Sequence, residues 1–114
     1  MAAAKIYHDK VSYNLSPNTA ISDFKNMTGV TSVETGELYL YVFTGKQYQG
    51  EYKVFGPDSK IMLKECGSMI TSTEPISPLL INKVQNNKRA PEKFWELTAP
   101  MYVLFFSPIY KYVV

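Results

Sequence analysis

Apolar and polar residues alternate along this chain in short bursts, cut about every nine residues by proline or glycine. The strongest burst is LYLYVF at 38–43. Strand side chains alternate between two faces, so Leu38, Leu40 and Val42 share one face and Tyr39, Tyr41 and Phe43 the other. Both faces are apolar or aromatic, which predicts a central strand covered on both sides. EYKVF at 51–55 alternates charged and apolar residues, as a half-exposed strand does. Shorter strands are expected at 5–7, 30–34, 61–64 and 68–73, while 21–25 suits a strand or a helical turn. Turns are expected at 45–50 and 56–58. Residues 8–20 read as turn-rich, because Asn14, Ser16, Pro17 and Asn18 favour tight turns through side-chain hydrogen bonds or a fixed φ.

The pattern changes after Pro75. Residues 79–84 are apolar enough for strand or helix, and 85–91 read as a polar loop. EKFWEL at 92–97 suits a short helix, with Pro91 tolerated at its first position. Segments 101–106 and 109–114 are rich in β-forming residues. Nine Tyr, six Phe and one Trp in 114 residues reinforce the β assignment and supply a core for one domain, 1–114.

The stretch from Phe43 to Gly50, FTGKQYQG, is followed at a distance by Ser68. An aromatic, six residues, a glycine and a later serine describe a folded β-hairpin pinned by a hydroxyl. A weaker copy lies 36 residues upstream, where Tyr7, Asn14 and Ser32 fall on Phe43, Gly50 and Ser68. Gly50 takes a positive φ without steric cost, and Asn is among the few residues that tolerate the same region. Through these residues the chain resembles the βγ-crystallin family over 5–75. The second unit, 38–75, matches through Phe43, Tyr48, Gly50 and Ser68. The first, 5–35, has Asn14 in place of the glycine. The resemblance implies an all-β sandwich of two Greek-key units. Residues 76–114 fall outside it and are expected to add an extension with one short helix and one or two strands. The spacing alone also leaves open another small β-barrel or sandwich, or a mixed α/β fold built around the C-terminal segment.

Many members of that family bind calcium through two consecutive Asn or Asp, two variable residues, then Ser or Thr and Ser. The corresponding segments here are 27–32 and 63–68, and neither has the paired Asx. Lys64 places a cation at the second ligand position, whereas calcium takes about six to eight oxygens, usually with several carboxylates. Asn26 and Glu65 sit one residue from the expected positions. The calcium site is therefore read as degenerate, and no cofactor is expected.

Other chemistry has little to work with. His8 is the only histidine, and its neighbour Asp9 would point to the opposite face of a strand. Cys66 is the only cysteine, so no intramolecular disulfide forms, and Glu65 beside it disfavours the thiolate. One histidine and one cysteine are too few for a zinc site, and no phosphate-cradling loop is present. An enzyme is not expected. The net charge is +2 and the only basic cluster is Lys88 with Arg89, which argues against a nucleic-acid partner. Aromatic and basic residues do interleave at Tyr48, Tyr52, Lys53, Tyr110, Lys111 and Tyr112, a mix that can stack bases. The longest apolar run is too short to span a bilayer, and the start lacks a basic region followed by an apolar core. The expectation is a soluble protein, intracellular or virion-associated, with no membrane partner.

The function expected is a non-enzymatic structural or protein-binding module on a rigid β scaffold. Trp95 and Tyr110 in the aromatic C-terminal segment are the candidate contacts, to another protein or to a second copy. Two alternatives stand beside it. One is a small inhibitor, or a virus or phage accessory protein, acting on a macromolecular target. The other is a calcium-binding crystallin-like protein.

Overall fold

A computed structural model describes residues 3–8, 11–23, 31–64 and 66–98. In chain order these form β1 (Ala4–His8), β2 (Val11–Leu15), β3 (Thr19–Asp23), β4 (Thr31–Glu34), β5 (Tyr39–Phe43), β6 (Tyr52–Phe55), β7 (Lys60–Leu63), β8 (Ser68–Ser72), α1 (Pro78–Asn87) and β9 (Trp95–Thr98). The fold is all-β, two packed sheets with one short helix. The first sheet has strand order β2-β1-β4-β7, and the second has β6-β5-β8-β3-β9. Each half of the chain thus sets its first, second and fourth strands side by side and lends its third to the other sheet. All pairings are antiparallel except β3 with β9.

The repeat is physical as well as textual. Tyr7 pairs with Ser32 in the first sheet, and Phe43 pairs with Ser68 in the second. The same 36-residue offset carries three of the four β1–β4 pairs, those of Lys5, Ile6 and Tyr7, onto β5–β8. Three residues further on, the offset joins Thr35 to Thr71, two fully buried threonines. The Thr35 hydroxyl donates to the Gly56 carbonyl (2.9 Å) and accepts from the Ser59 N–H (2.9 Å). The Thr71 hydroxyl donates to the Ser16 carbonyl (2.8 Å) and accepts from the Thr19 N–H (3.2 Å). Each threonine therefore ties its own half to the turn before the strand that the other half lends. The two turns match again at Asn18 (φ 52°) and Asp58 (φ 60°), both left-handed and both Asx residues that tolerate that region.

Two apolar layers flank the second sheet. Between the sheets lie Ala4, Ile6, Leu15 and Val33 from one side and Ile21, Leu40, Val42 and Met69 from the other. On the far face Ala20, Tyr41, Phe43 and Ile70 are covered by Tyr48, Ile76, Ile81 and Val84. Strand β5 is covered on both sides, as its sequence predicts. The helix starts where Ser77 caps it, accepting from the Leu80 N–H (3.2 Å), with Pro78 pre-set for the first turn.

Four expectations are corrected. Residues 8–20 are not mainly turn: β2 occupies the middle, and among the described residues of this range 16–18 lead by a turn into β3. Turn-forming Ser12 and Asn14 sit on the outer face of a strand whose Leu15 enters the core, so burial overrides local preference. Asn14 pairs with Lys5 inside β2 and is not among the positive-φ residues, so it does not play the part of Gly50. Residues 92–97 are not a helix: a turn leads into β9, which gains main-chain partners along β3. The helix lies earlier and extends through Gln85 to Asn87, which read as loop.

Replacing Thr71 by valine keeps the shape but leaves the buried Thr19 N–H unmatched, and Thr35→Val does the same to the half-buried Ser59 N–H. Each variant is expected to lose about 1–3 kcal/mol in urea unfolding, whereas Thr44→Val, at an exposed position, is expected to cost little.

Candidate functional site

The most constrained site is the connection between β5 and β6. The backbone folds over on itself: the Thr44 N–H donates to the Glu51 carbonyl (3.0 Å) and the Gly45 N–H to the Gln49 carbonyl (2.8 Å). Gln47 (φ 52°) and Tyr48 (φ 63°) are both left-handed, a conformation that costs about 1–2 kcal/mol per non-glycine residue. Ser68 offsets that cost. Its fully buried hydroxyl accepts from the Tyr48 N–H (2.9 Å) and donates to the Gly45 carbonyl (2.7 Å). The Tyr48 ring is buried edge-on to Phe43, centroids 5.5 Å apart. Gly50 has φ 82°, and a Cβ there would stand 2.2 Å from Thr44 Oγ1.

The extension after Pro75 docks on this hairpin. Gln85 Nε2 of α1 donates to the Tyr48 and Gly50 carbonyls (3.0 and 3.1 Å), and Gln49 Nε2 donates to the Gln85 carbonyl (2.6 Å). The Tyr48 hydroxyl donates to Glu96 Oε2 (2.7 Å), which also accepts from the Ala90 N–H (2.6 Å). Burial first, then the Glu96 hydrogen bond and charge, push the Tyr48 phenol well above its ordinary range. Tyr48 is thus a neutral donor that holds β9 in place. Burial pushes the Cys66 thiol up to about 12, against a smaller opposing effect from the Ser68 backbone. Such a thiol stays protonated and unreactive near neutral pH.

The remaining expected positions fall as follows. Tyr7 and Ser32 pair across β1 and β4, both half-buried. The 9–10 connection beside them is spanned by a strand register that leaves two residues between His8 and Val11, so the eight-residue folded loop belongs to the second unit alone. In the segment corresponding to a calcium site, Leu63 is buried, Lys64 is exposed and the Ser68 hydroxyl is engaged with the hairpin. Among the described residues no group of three or more His, Cys, Asp or Glu could hold a metal ion. Asn26, Glu65 and residues 27–30 lie outside the described residues, as do Asp9 and Tyr110–Tyr112's positions. Tyr48 is buried and cannot stack a base, and Tyr52 and Lys53 occupy opposite faces of β6. Trp95 opens β9 with 57% of its surface exposed, its N–H donating to the Asn18 carbonyl (3.1 Å). Among the described residues no helix is long and apolar enough to cross a membrane. Sequence reasoning missed Thr35, Thr71, Gln85 and Glu96. Extending the 36-residue alignment past Ser68 would have exposed the two threonines; Gln85 and Glu96 carry no such signal.

No family model, no curated protein and no solved structure matches this chain.

Ser68→Ala is expected to cost about 2–3 kcal/mol in chemical unfolding, because it strands two buried backbone groups. Ser32→Ala, at a half-buried position, should cost clearly less. Gly50→Val should destabilise by about 2 kcal/mol or more, from the positive φ and the clash with Thr44. A G50V protein with unchanged stability would refute the folded-hairpin account.

Stability should also fall in alkali. In the unfolded chain Cys66 and Tyr48 ionise near 9.0 and 10.0, whereas the folded protein holds both protons. Their contribution is complete below pH 9.0, is lost between 9.0 and about 12 for Cys66, and keeps falling above 10.0 for Tyr48. Tyr48→Phe should flatten the decline above pH 10.0 when melting temperature is followed against pH.

Proposed function

We propose that this chain is a βγ-crystallin-like scaffold of two Greek-key units, acting without catalysis as a structural or protein-binding module. The family reading is supported by the lent third strands, the matching register of the two halves, the reciprocal threonine ties and the Ser68-pinned hairpin. The functional reading rests on one observation: the buried groups with chemical potential are used to hold backbone. Ser68, Thr35 and Thr71 brace turns. Tyr41 holds the linker to the helix, its hydroxyl accepting from the Ile76 N–H (2.6 Å). Tyr48 holds β9 by donating to the exposed Glu96. Large apolar side chains, Trp95, Leu79, Val54 and Met62 among them, stand exposed on this braced frame. Exposed aromatic and aliphatic groups on a rigid support suit recognition of another protein.

The calcium positions are proposed to be degenerate, since Lys64 stands exposed where a ligand is needed and Ser68 is committed to the hairpin. Titration calorimetry with calcium is expected to show no saturable heat. A micromolar site would overturn that part and favour the calcium-binding alternative. The full chain used as bait in its native source is expected to retain a stoichiometric protein partner. A purified chain that instead turns over a small substrate would sink the reading.

A further inference from the structure

The two ends of the sandwich should be equivalent, and they are not. Strand β3, lent to the second sheet, is flanked on its outer side by β9. Its counterpart β7, lent to the first sheet, ends that sheet, so no described strand pairs with its outer edge. The register fixes the correspondence. Ala20 faces Ile70 and Lys60 faces Glu34, and Ile70 and Glu34 are matched by the repeat. Where β9 sets Glu96 beside Ala20, the vacant position would set a residue beside Lys60.

The chemistry of that edge is specific. Lys60 and Met62 share the outer face, opposite Glu34 and Ser32, and Lys64 follows directly. All three are exposed, Met62 at 71%. On the inner side a groove of about 510 Å³ opens between β6 and β7, its apolar lining of Val42, Phe55 and Leu63 edged by Lys53, Lys64 and Glu51. Lys53 shares the core-facing side of β6 with Phe55, because it pairs with Val42. An edge that no described strand pairs, beside an apolar groove where Lys53, Lys60 and Lys64 outnumber Glu51, matches an added strand of alternating character. Main-chain bonds would give such a strand affinity, and pockets for alternate side chains would give it specificity.

We propose that the outer edge of β7, which no described strand pairs, receives an extended acidic segment of another protein. Acidic residues would stand opposite Lys60 and Lys64, an apolar residue opposite Met62, and the alternate apolar side chains would enter the groove over Phe55 and Leu63. Opposite charges directly across a strand pair are favourable and like charges are not. The chain's own C-terminal residues 99–114 contain no Asp or Glu and include Lys111, so the lysine pattern selects against them and against the same segment of a second copy. The inference rests on the protein-binding reading above and names the surface and the partner's chemistry.

The test uses the full chain and a fluorescein-labelled synthetic peptide in which valine alternates with aspartate, leucine and aspartate. Fluorescence anisotropy should show saturable binding that weakens with salt and is lost when the aspartates are replaced by lysines. The double variant Lys60→Glu/Lys64→Glu should bind the acidic peptide about tenfold or more weakly and gain affinity for the lysine version. A control charge reversal on α1, Lys83→Glu, should bind as the unaltered chain does. Both variants alter exposed side chains, and an unchanged melting temperature checks their folding. Equal affinity for the two peptides, or no effect of the charge reversal, overturns the proposal. So does tighter acidic-peptide binding by Lys60→Ala/Lys64→Ala, the result if the lysines merely keep the edge from pairing. If the charge-reversed chain still retains its native partner, the scaffold reading stands and this edge is not the surface.

Discussion

The hydroxyl of Ser68 is the contact on which the rest of the second unit depends. A hairpin with two left-handed non-glycine residues is not a conformation the backbone would hold alone. One buried serine satisfies a donor and an acceptor across its fold. Close approach makes this possible: at Gly67 a Cβ would lie 2.3 Å from the Gly45 carbonyl carbon, so the chain before Ser68 can run against the hairpin. Once the hairpin is fixed, Tyr48 presents its ring to Phe43, its carbonyl to Gln85 and its hydroxyl to Glu96. The helix and β9 are therefore assembled on a surface the pin creates.

The reciprocal threonines do for the whole sandwich what Ser68 does for one hairpin. Each couples a strand end in one half to a turn in the other, adding a distant brace to the local bonds that Ser59 and Thr19 make within those turns. The symmetry they impose is broken in two places. Among the described residues, the β1–β2 register leaves two residues between His8 and Val11 where the second unit has the folded loop, and only the second sheet carries a fifth strand. The extension accordingly covers the face over the folded loop, where Phe43, Tyr41 and Ile70 would otherwise meet water.

Much of this was legible in the residues, and the failures share a cause. The double-sided strand at 38–43 and the spacing of Phe43, Gly50 and Ser68 depend on local pattern, and they point to a real strand and a real hairpin. The region 8–20 was misread because polar residues on the solvent face of an edge strand look like turn formers; what decides is Leu15 entering the core. Segment 92–97 has a helix-like charge pattern, yet the open edge of β3 and the buried hydroxyl of Tyr48 claim its backbone and Glu96. Those partners lie far away in sequence, and no window of local residues contains them. Asn14 shows the same limit at a single position, since tolerance of positive φ is not a requirement for it.

Lending strands between halves also has a consequence for assembly in time. Strand β4 needs β7 to complete the first sheet, and β3 needs β8 to enter the second. A nascent chain that has emerged only as far as β4 can pair β1, β2 and β4, but its third strand has no sheet to join. The core between the sheets draws residues from both halves, so it cannot close until β8 is available. Folding is thereby made a late, all-or-none event dominated by distant contacts, and such topologies fold slowly. The same entanglement opposes piecemeal opening afterwards: pulling out one half would strip three strands from one sheet and one from the other at once.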